Sequence, residues 1–204
     1  GGVGRIKTLD YNNDGWSDVL LIGDDGAALV LLAGVGRDRF QDVTSAVGLG
    51  GAWGSIAGMA AGDLDGDGDE DLVLQTRDRG TRLLRNDGGE RGHWVNVRLV
   101  GKKVNRDGFG AKVEVASGGH YQKQTVSDGW IHFGLGGLTG VDVVRVVWSS
   151  GQAQNVIRPD LNRSVTIEQH VKVSASCGFL YTWNGRRFEF VNEILGIGPL
   201  GAPM

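Results

Sequence analysis

The sequence predicts an all-β protein, and three features of its 204 residues support this fold class. Glycine is very frequent, with 36 residues, whereas proline occurs only 3 times. Such a composition, together with abundant Val, Leu and Trp, is typical of many tight turns between short strands. Short apolar or alternating runs bounded by turn residues recur along the chain, and the best helix candidate, DVTSAVG at 42–48, is very short.

An internal repeat organises the first part of the chain. The segment LDYNNDGWSDVLLI (9–22) aligns with GDLDGDGDEDLVLQ (62–75). The first Asp of the shared pattern is Asp10 in one copy and Asp63 in the other, a period of 53 residues. A period of this length fits a four-stranded propeller blade, so the repeat predicts about two blades of a partial β-propeller.

Each copy of the repeat contains an acidic loop, which we call loop one (10–18) and loop two (63–71). Positions one, three, five and nine carry Asp or Asn, and a glycine at position six, Gly15 or Gly68, allows a sharp turn with positive φ. The side chains then converge with the main-chain carbonyl of position seven, and hard oxygen ligands at this spacing suit Ca²⁺. The predicted ligands are Asp10, Asn12, Asp14, Trp16 and Asp18 in loop one, and Asp63, Asp65, Asp67, Asp69 and Asp71 in loop two, where Trp16 and Asp69 contribute carbonyls.

A solvated turn is the alternative interpretation of these loops, because Asp, Asn and Gly favour turns without any metal. Two copies in register, each leading into an apolar strand, favour the metal site. An EF-hand is excluded because Leu21 and Leu74 stand where it needs a glutamate, and because the flanks are strands rather than helices. We therefore predict two structural Ca²⁺ ions, the second bound more tightly because loop two supplies more carboxylates.

The repeat resembles a known family. Its pattern D-x-N-x-D-G-x-x-D-V-L-L resembles the FG-GAP/VCBS repeat of integrin-α-like β-propellers, and RFQDVTSAVGLGG (39–51) and TRLLRNDGG (81–89) are similar to the segments that connect such repeats. The resemblance covers residues 1–89. It implies the last two blades or so of a ring, and because a propeller needs about 4–8 blades, the other blades are expected upstream in the same chain.

The Val-rich stretch 93–156 resembles the ASPIC/UnbV domain, which follows such repeats in relatives of cartilage acidic protein and in many secreted bacterial proteins. The resemblance is carried by NRDGFGA (105–111), HFGLG (132–136) and VRVVWSSG (144–151), although the glycine-rich insert usual before HFGLG is short here. The implied organisation has propeller blades at 1–89, a β-sandwich-like ASPIC/UnbV domain at 90–170 and the start of a further module at 171–204.

Several residues of this second region invite a functional interpretation but are expected to be structural. His132 has no second ligand at metal-binding spacing, and Asp107–Gly108 is a strong turn signal. Trp94, Trp130 and Trp148 lie at predicted strand positions, so we expect them in the core, with a glycan-binding face as the alternative.

No catalytic arrangement is visible in the sequence. It lacks a nucleophile elbow, a P-loop, a dinucleotide-binding loop and a zinc-protease motif, and the single cysteine, Cys177, has no identifiable base. The net charge of −3, with scattered Lys and Arg, argues against nucleic acid as a partner. The longest apolar run, 27–35, is too short for a membrane helix.

These features predict a non-catalytic, calcium-binding module, secreted or at the cell surface, for adhesion, scaffolding or ligand binding. The expected partners are an extracellular protein or a glycan. The alternatives are a carbohydrate-binding or polysaccharide-processing accessory protein, and an enzyme whose active site lies outside this part of the chain. The resemblance implies an extracellular, cell-surface or periplasmic location. We expect the chain to be a piece of a longer protein, in which Cys177 has the option of a partner elsewhere.

Overall fold

The structure, a computed structural model, describes residues 2–88, 92–171 and 179–193, and it confirms the all-β prediction. These residues contain sixteen β-strands and no helix, and therefore no helix long and apolar enough to cross a membrane. The chain divides into two compact units, Gly1–Gln169 and His170–Met204, and each is described by itself. Cys177 and the predicted boundary between residues 89 and 90 lie outside the described residues.

The first sheet is a complete propeller-type blade, with four antiparallel strands in the order β1-β2-β3-β4. Burial alternates along β2, so that Leu20 and Ile22 face the core while their neighbours are half-buried. This period of two is what an antiparallel strand with one covered face requires. The strands are β1 (Val3–Leu9), β2 (Asp18–Gly23), β3 (Leu29–Gly34) and β4 (Phe40–Asp42).

The second sheet repeats the first three strands of the blade as β5 (Ile56–Gly62), β6 (Asp71–Thr76) and β7 (Gly80–Leu84), in that order. Loop one joins β1 to β2, and loop two joins β5 to β6, at equivalent places in the two sheets. The two sheets also share one apolar core, built from Leu20, Ile22 and Leu31 of the first sheet and from Leu72 and Leu74 of the second. The repeat in the sequence is therefore a repeat in the fold.

The Val-rich region forms two further sheets around one core. One sheet has the order β10-β9-β12-β13, and the other has the order β11-β8-β14, in which β14 runs parallel to β8. Val97, Val113, Phe133, Val146 and Trp148 are fully buried in a single cluster to which both sheets contribute, as in a β-sandwich. The strands are β8 (His93–Val100), β9 (Lys112–Ser117), β10 (His120–Thr125), β11 (Ile131–Gly136), β12 (Val143–Val147), β13 (Ala153–Ile157) and β14 (Arg163–Glu168).

The blades and the sandwich pack directly against each other within the first unit, at loops one and two. The backbone of Gly68 lies so close to the indole of Trp94 that a Cβ at this position would overlap the ring. A Cβ at Gly134 would likewise overlap the carboxylate of Asp10. The predicted positive φ is present at both position-six glycines, with 85° at Gly15 and 97° at Gly68.

Two local predictions have opposite outcomes. The turn at Asp107–Gly108 is confirmed, since the amide of Gly108 donates to the carbonyl of Asn105 at 3.0 Å. The best helix candidate, 42–48, is not a helix, because Asp42 ends β4 and residues 44–48 form turns. The hydroxyl of Thr44 accepts a hydrogen bond from the amide of Leu31 at 2.9 Å, which holds the segment against β3 instead of capping a helix.

The second unit contains a two-stranded antiparallel hairpin of β15 (Phe179–Trp183) and β16 (Phe188–Glu193). Its turn is closed by the amide of Asn184, which donates to the carbonyl of Arg187 at 3.0 Å. The rings of Trp183 and Phe188 pack with their centroids 5.3 Å apart. The described part of the second unit is therefore an aromatic hairpin.

The close packing of Gly134 against loop one provides a first prediction. Gly134→Ala forces a methyl group into the Asp10 carboxylate and the backbone of Asn13, and such overpacking typically costs about 1–3 kcal/mol. We expect the melting temperature to fall by several degrees. Gly137→Ala is the matched control, because a Cβ there meets nothing within 4 Å. Equal melting temperatures for the two variants, measured by circular dichroism, would contradict this account of the junction.

Candidate metal centre

The first Asp of each loop organises the backbone of that loop. In loop two, Asp63 accepts hydrogen bonds from the amides of Gly66 and Gly68, at 2.7 and 3.2 Å. In loop one, Asp10 accepts from the amides of Asp14 and Gly15, at 3.1 and 2.9 Å. Each loop therefore wraps around a carboxylate, and this wrapping brings the alternate side chains toward one point.

Loop two brings three of the predicted ligands together. Asp63, Asp65 and Asp67 each offer a carboxylate oxygen, and these oxygens lie within 4.8 Å of one another. One cation of the protein is close by, since the guanidinium of Arg85 lies 3.1 Å from Asp65. Burial and, after it, the neighbouring carboxylates of Asp65 and Asp63 raise the pKa of Asp67.

Loop one is arranged similarly but has fewer carboxylates. The amide nitrogen of Asn12 donates to Asp14 at 2.9 Å, and Asp14 also accepts from the backbone of Trp16 at 2.8 Å. The pKa of Asp10 is raised to about 7, mainly by burial and also by the charges of Asp14 and Asp18, and the bonds from the loop amides only partly oppose this. A bound divalent cation would oppose the shift, because it would favour the ionised carboxylate.

The donor sets of both loops fit calcium. They consist of hard oxygen atoms on a tight turn, as Ca²⁺ sites require. In loop two the holding residues would be Asp63, Asp65 and Asp67 with the carbonyl of Asp69. In loop one they would be Asp10, Asn12 and Asp14 with the carbonyl of Trp16. The ion would supply the charge that these clustered carboxylates lack.

The position-nine carboxylates, predicted as ligands, also have a structural role. Asp18 is fully buried and accepts hydrogen bonds from the amides of Tyr11 and Gly34, at 2.8 and 2.7 Å. Asp71 is bound in the same way by Leu64 and Asn86, at 3.0 and 2.8 Å. Each carboxylate therefore fastens the start of its loop to the end of the third strand of its sheet.

Sequence reasoning missed a set of neutral polar side chains that connects the two loops. Half-buried His132 contacts the carbonyl oxygens of two side-chain amides, Asn13 at 2.5 Å and Asn96 at 2.8 Å. The amide nitrogen of Asn96 donates to Asp63 at 3.1 Å, and that of Asn13 donates to Asp69 at 3.0 Å. These contacts connect Asp63 of loop two, through Asn96 and His132 of the sandwich, to Asn13 of loop one. Asn13 in turn contacts Asp69 of loop two.

The imidazole in this set can donate to both amide oxygens only as imidazolium, and a neutral ring donates to just one of them. Loss of solvent around the ring lowers the pKa of His132 to about 4. Its indole neighbour, Trp94, stacks with a centroid separation of 6.5 Å. No feature of the sequence indicated these partners, because Asn13 and His132 are 119 residues apart.

Two further acidic residues of loop two also turn toward loop one. Asp69 is fully buried and holds Asn13, while Glu70 accepts a hydrogen bond from the amide of Asp10 at 2.9 Å. Burial raises the pKa of Glu70. The acidic cluster therefore divides into carboxylates that converge on one point and carboxylates that hold the adjoining backbone.

The raised pKa of Asp10 predicts a pH dependence of the calcium-free protein. Asp10 keeps its proton up to about pH 7 in the folded state but loses it from about pH 4 when unfolded, so stability falls as pH rises between these values. Asp10→Asn removes this dependence. As pH rises from about 4 to about 7, the free energy of unfolding of the variant should therefore increase relative to that of the wild type by up to about 1.4 kcal/mol per pH unit. Urea unfolding in calcium-depleted buffer at several pH values measures the difference, and a constant difference would contradict the shift.

The comparisons with known proteins agree with this architecture. The family model described as FG-GAP-like repeat matches residues 10–74, which contain both acidic loops. The model described as ASPIC and UnbV matches residues 101–174. No curated protein matches the chain. The chain therefore matches an FG-GAP-like repeat followed by an ASPIC and UnbV domain, in the order that the sequence predicts.

Proposed function

We propose that this protein is a non-catalytic, calcium-stabilised binding module of the extracellular, adhesion-related type. FG-GAP repeats usually occur in extracellular proteins, and together with the ASPIC and UnbV domain they suggest an adhesion-type repeat module. The observation that carries the calcium role is the convergence of Asp63, Asp65 and Asp67, with Asn96 of the sandwich bonded to Asp63. The proposed location is the cell exterior, the cell surface or the periplasm.

In this proposal calcium ties the blades to the sandwich. Asp63 contacts the loop backbone, Asn96 and, in the proposed state, the ion. An ion that fixes Asp63 therefore also fixes the end of the polar set that reaches His132 and loop one. Extracellular calcium modules often bind with a Kd of about 10⁻⁴–10⁻³ M, which suits a calcium-rich exterior.

The contacts of the titratable groups support a non-catalytic role. Each ring nitrogen of His132 faces a side-chain amide oxygen, that of Asn13 or that of Asn96, so neither nitrogen is open to a substrate. The carboxyl groups with raised pKa, including Asp10 and Glu70, hold backbone amides of the loops. Their pKa values follow from burial at a structural junction.

Calcium binding can be tested with Asp67→Ala. In calcium the variant should lose affinity and melt at a lower temperature than the wild type, because a converging carboxylate has been removed. In chelator the two proteins should melt at similar temperatures. Asp107→Ala, at an exposed turn outside both loops, is the control. Calorimetric titration and melting curves measure both effects, and an equal loss in calcium and in chelator would exclude a metal role.

The connection between the ion and the sandwich can be tested with Asn96→Ala. Removing a residue that orients a metal ligand typically lowers affinity 10–100-fold, and we expect about tenfold here because Asp63 keeps its backbone bonds. Asn155→Ala, on the exposed part of β13, is the matched control. Calorimetry in the same buffers compares them. If Asn96→Ala binds calcium as tightly as the wild type, the sandwich does not contribute to the metal site through Asn96.

A further inference from the structure

A large cleft lies between the acidic loops and the sandwich, within the first unit. Its volume is about 1070 Å³, and its walls come from loop one, loop two and strands β8, β10 and β11. This volume is at the upper end of what ligand pockets enclose. The salt bridge between Lys7 of β1 and Asp128, with the nitrogen and oxygen 3.8 Å apart, crosses from the blade to the sandwich at this cleft.

Two partly exposed indoles line the cleft. Trp16, at position seven of loop one, is 46% exposed, and Trp130, just before β11, is 47% exposed. The prediction that Trp130 lies in the core is therefore wrong, whereas Trp94 and Trp148 are buried as predicted. Single exposed apolar residues are common, but two indoles from distant parts of the chain on one concave surface are typical of a binding site.

Fixed amide groups lie on the same surface. Gln122 donates from its side-chain nitrogen to the carbonyl of Gly134 at 2.6 Å, and Gln124 donates to the carbonyl of His132 at 2.6 Å. These bonds orient both amides. They also cap carbonyl groups of β11, which is the edge of its sheet, and so obstruct the addition of a peptide strand there.

The charges of the cleft disfavour an anionic ligand. Its walls carry the carboxylates of Asp10, Asp63, Asp65, Glu70 and Asp128 against the ammonium groups of Lys7 and Lys123. A cation is disfavoured at Trp130, because the guanidinium of Arg98 already lies over that ring, 5.8 Å from its centroid. A neutral ligand with apolar faces for the indoles and hydroxyl groups for the amides and carboxylates fits both conditions.

We propose that this cleft binds a neutral oligosaccharide, with Trp16 and Trp130 as stacking platforms and with Gln122 and Gln124 as hydrogen-bonding groups. Pyranose rings combine an apolar face with a rim of hydroxyl groups, which is the chemistry that this surface complements. The proposal rests on the proposed function as a binding module and names its ligand class.

The test measures the binding of neutral hexasaccharides of glucose, mannose, galactose and N-acetylglucosamine to the full chain, with hexagalacturonate as the anionic comparison. Tryptophan fluorescence and calorimetry report binding. We expect at least one neutral hexasaccharide to bind, and we expect Trp16→Ala and Trp130→Ala each to weaken binding about tenfold or more, as at an aromatic hot spot. Trp183→Ala, an exposed indole of the second unit, is the control and should bind like the wild type.

The outcomes separate this proposal from the calcium proposal. Absence of binding by any neutral hexasaccharide, or unchanged binding in both cleft variants with circular dichroism spectra like the wild type, overturns the cleft assignment whatever the calcium titration shows. Saccharide binding without calcium binding supports the cleft and overturns the calcium role. Release of new reducing ends from a bound hexasaccharide supports the cleft but overturns the non-catalytic function.

Discussion

The mutual repulsion of six carboxylates within residues 63–71 is the constraint on which the first unit is built. Like charges at this density are tolerated only where each finds a donor or a cation. In the structure these six carboxylates form two groups. Asp63, Asp65 and Asp67 converge toward one point, whereas Asp69, Glu70 and Asp71 turn inward to the Asn13 amide and to backbone amides. The inward set holds the blades together, so the outward set is left for an ion.

The junction between blades and sandwich is built from neutral polar groups, which suits a place already rich in negative charge. An amide side chain can donate to a carboxylate from its nitrogen and face an imidazole with its oxygen, so one residue satisfies two partners. Asn13 and Asn96 are both placed in this way around His132, and a neutral ring donates to one of their two oxygens. A buried lysine or arginine in the same place would compete with a cation for the carboxylates and would cost more to desolvate.

The parts of this arrangement that are local in sequence could be predicted from it. Alternating Asp residues around a glycine predict a loop whose side chains converge, and Asp63, Asp65 and Asp67 do converge. Long-range partners could not be predicted. The amides of Gly34, at the end of β3, and of Asn86, just after β7, bind Asp18 and Asp71, and no local spacing identifies these partners.

Local patterns also failed where a tertiary contact decided the outcome. Trp130 is expected in the core because it lies at a predicted strand position, but the strand begins one residue later, at Ile131, and leaves the indole half exposed. The segment 42–48 has a helix-like start, yet the bond between Thr44 and β3 replaces the cap that a helix would need.

Loop one belongs to both proposed sites, and its geometry explains how one short segment can serve two purposes. Trp16 turns its main chain toward the loop, where its amide binds Asp14, while its indole lies on the cleft. Strand β3 approaches this part of loop one closely because its last residue, Gly34, has no side chain; a Cβ there would lie 2.5 Å from the carbonyl oxygen of Ser17 and 3.2 Å from the Cβ of Trp16. Gly34 is itself held by Asp18 at 2.7 Å. The carboxylate at position nine therefore fixes the backbone that supports the indole, so the ordering of loop one and the placement of Trp16 depend on the same contact.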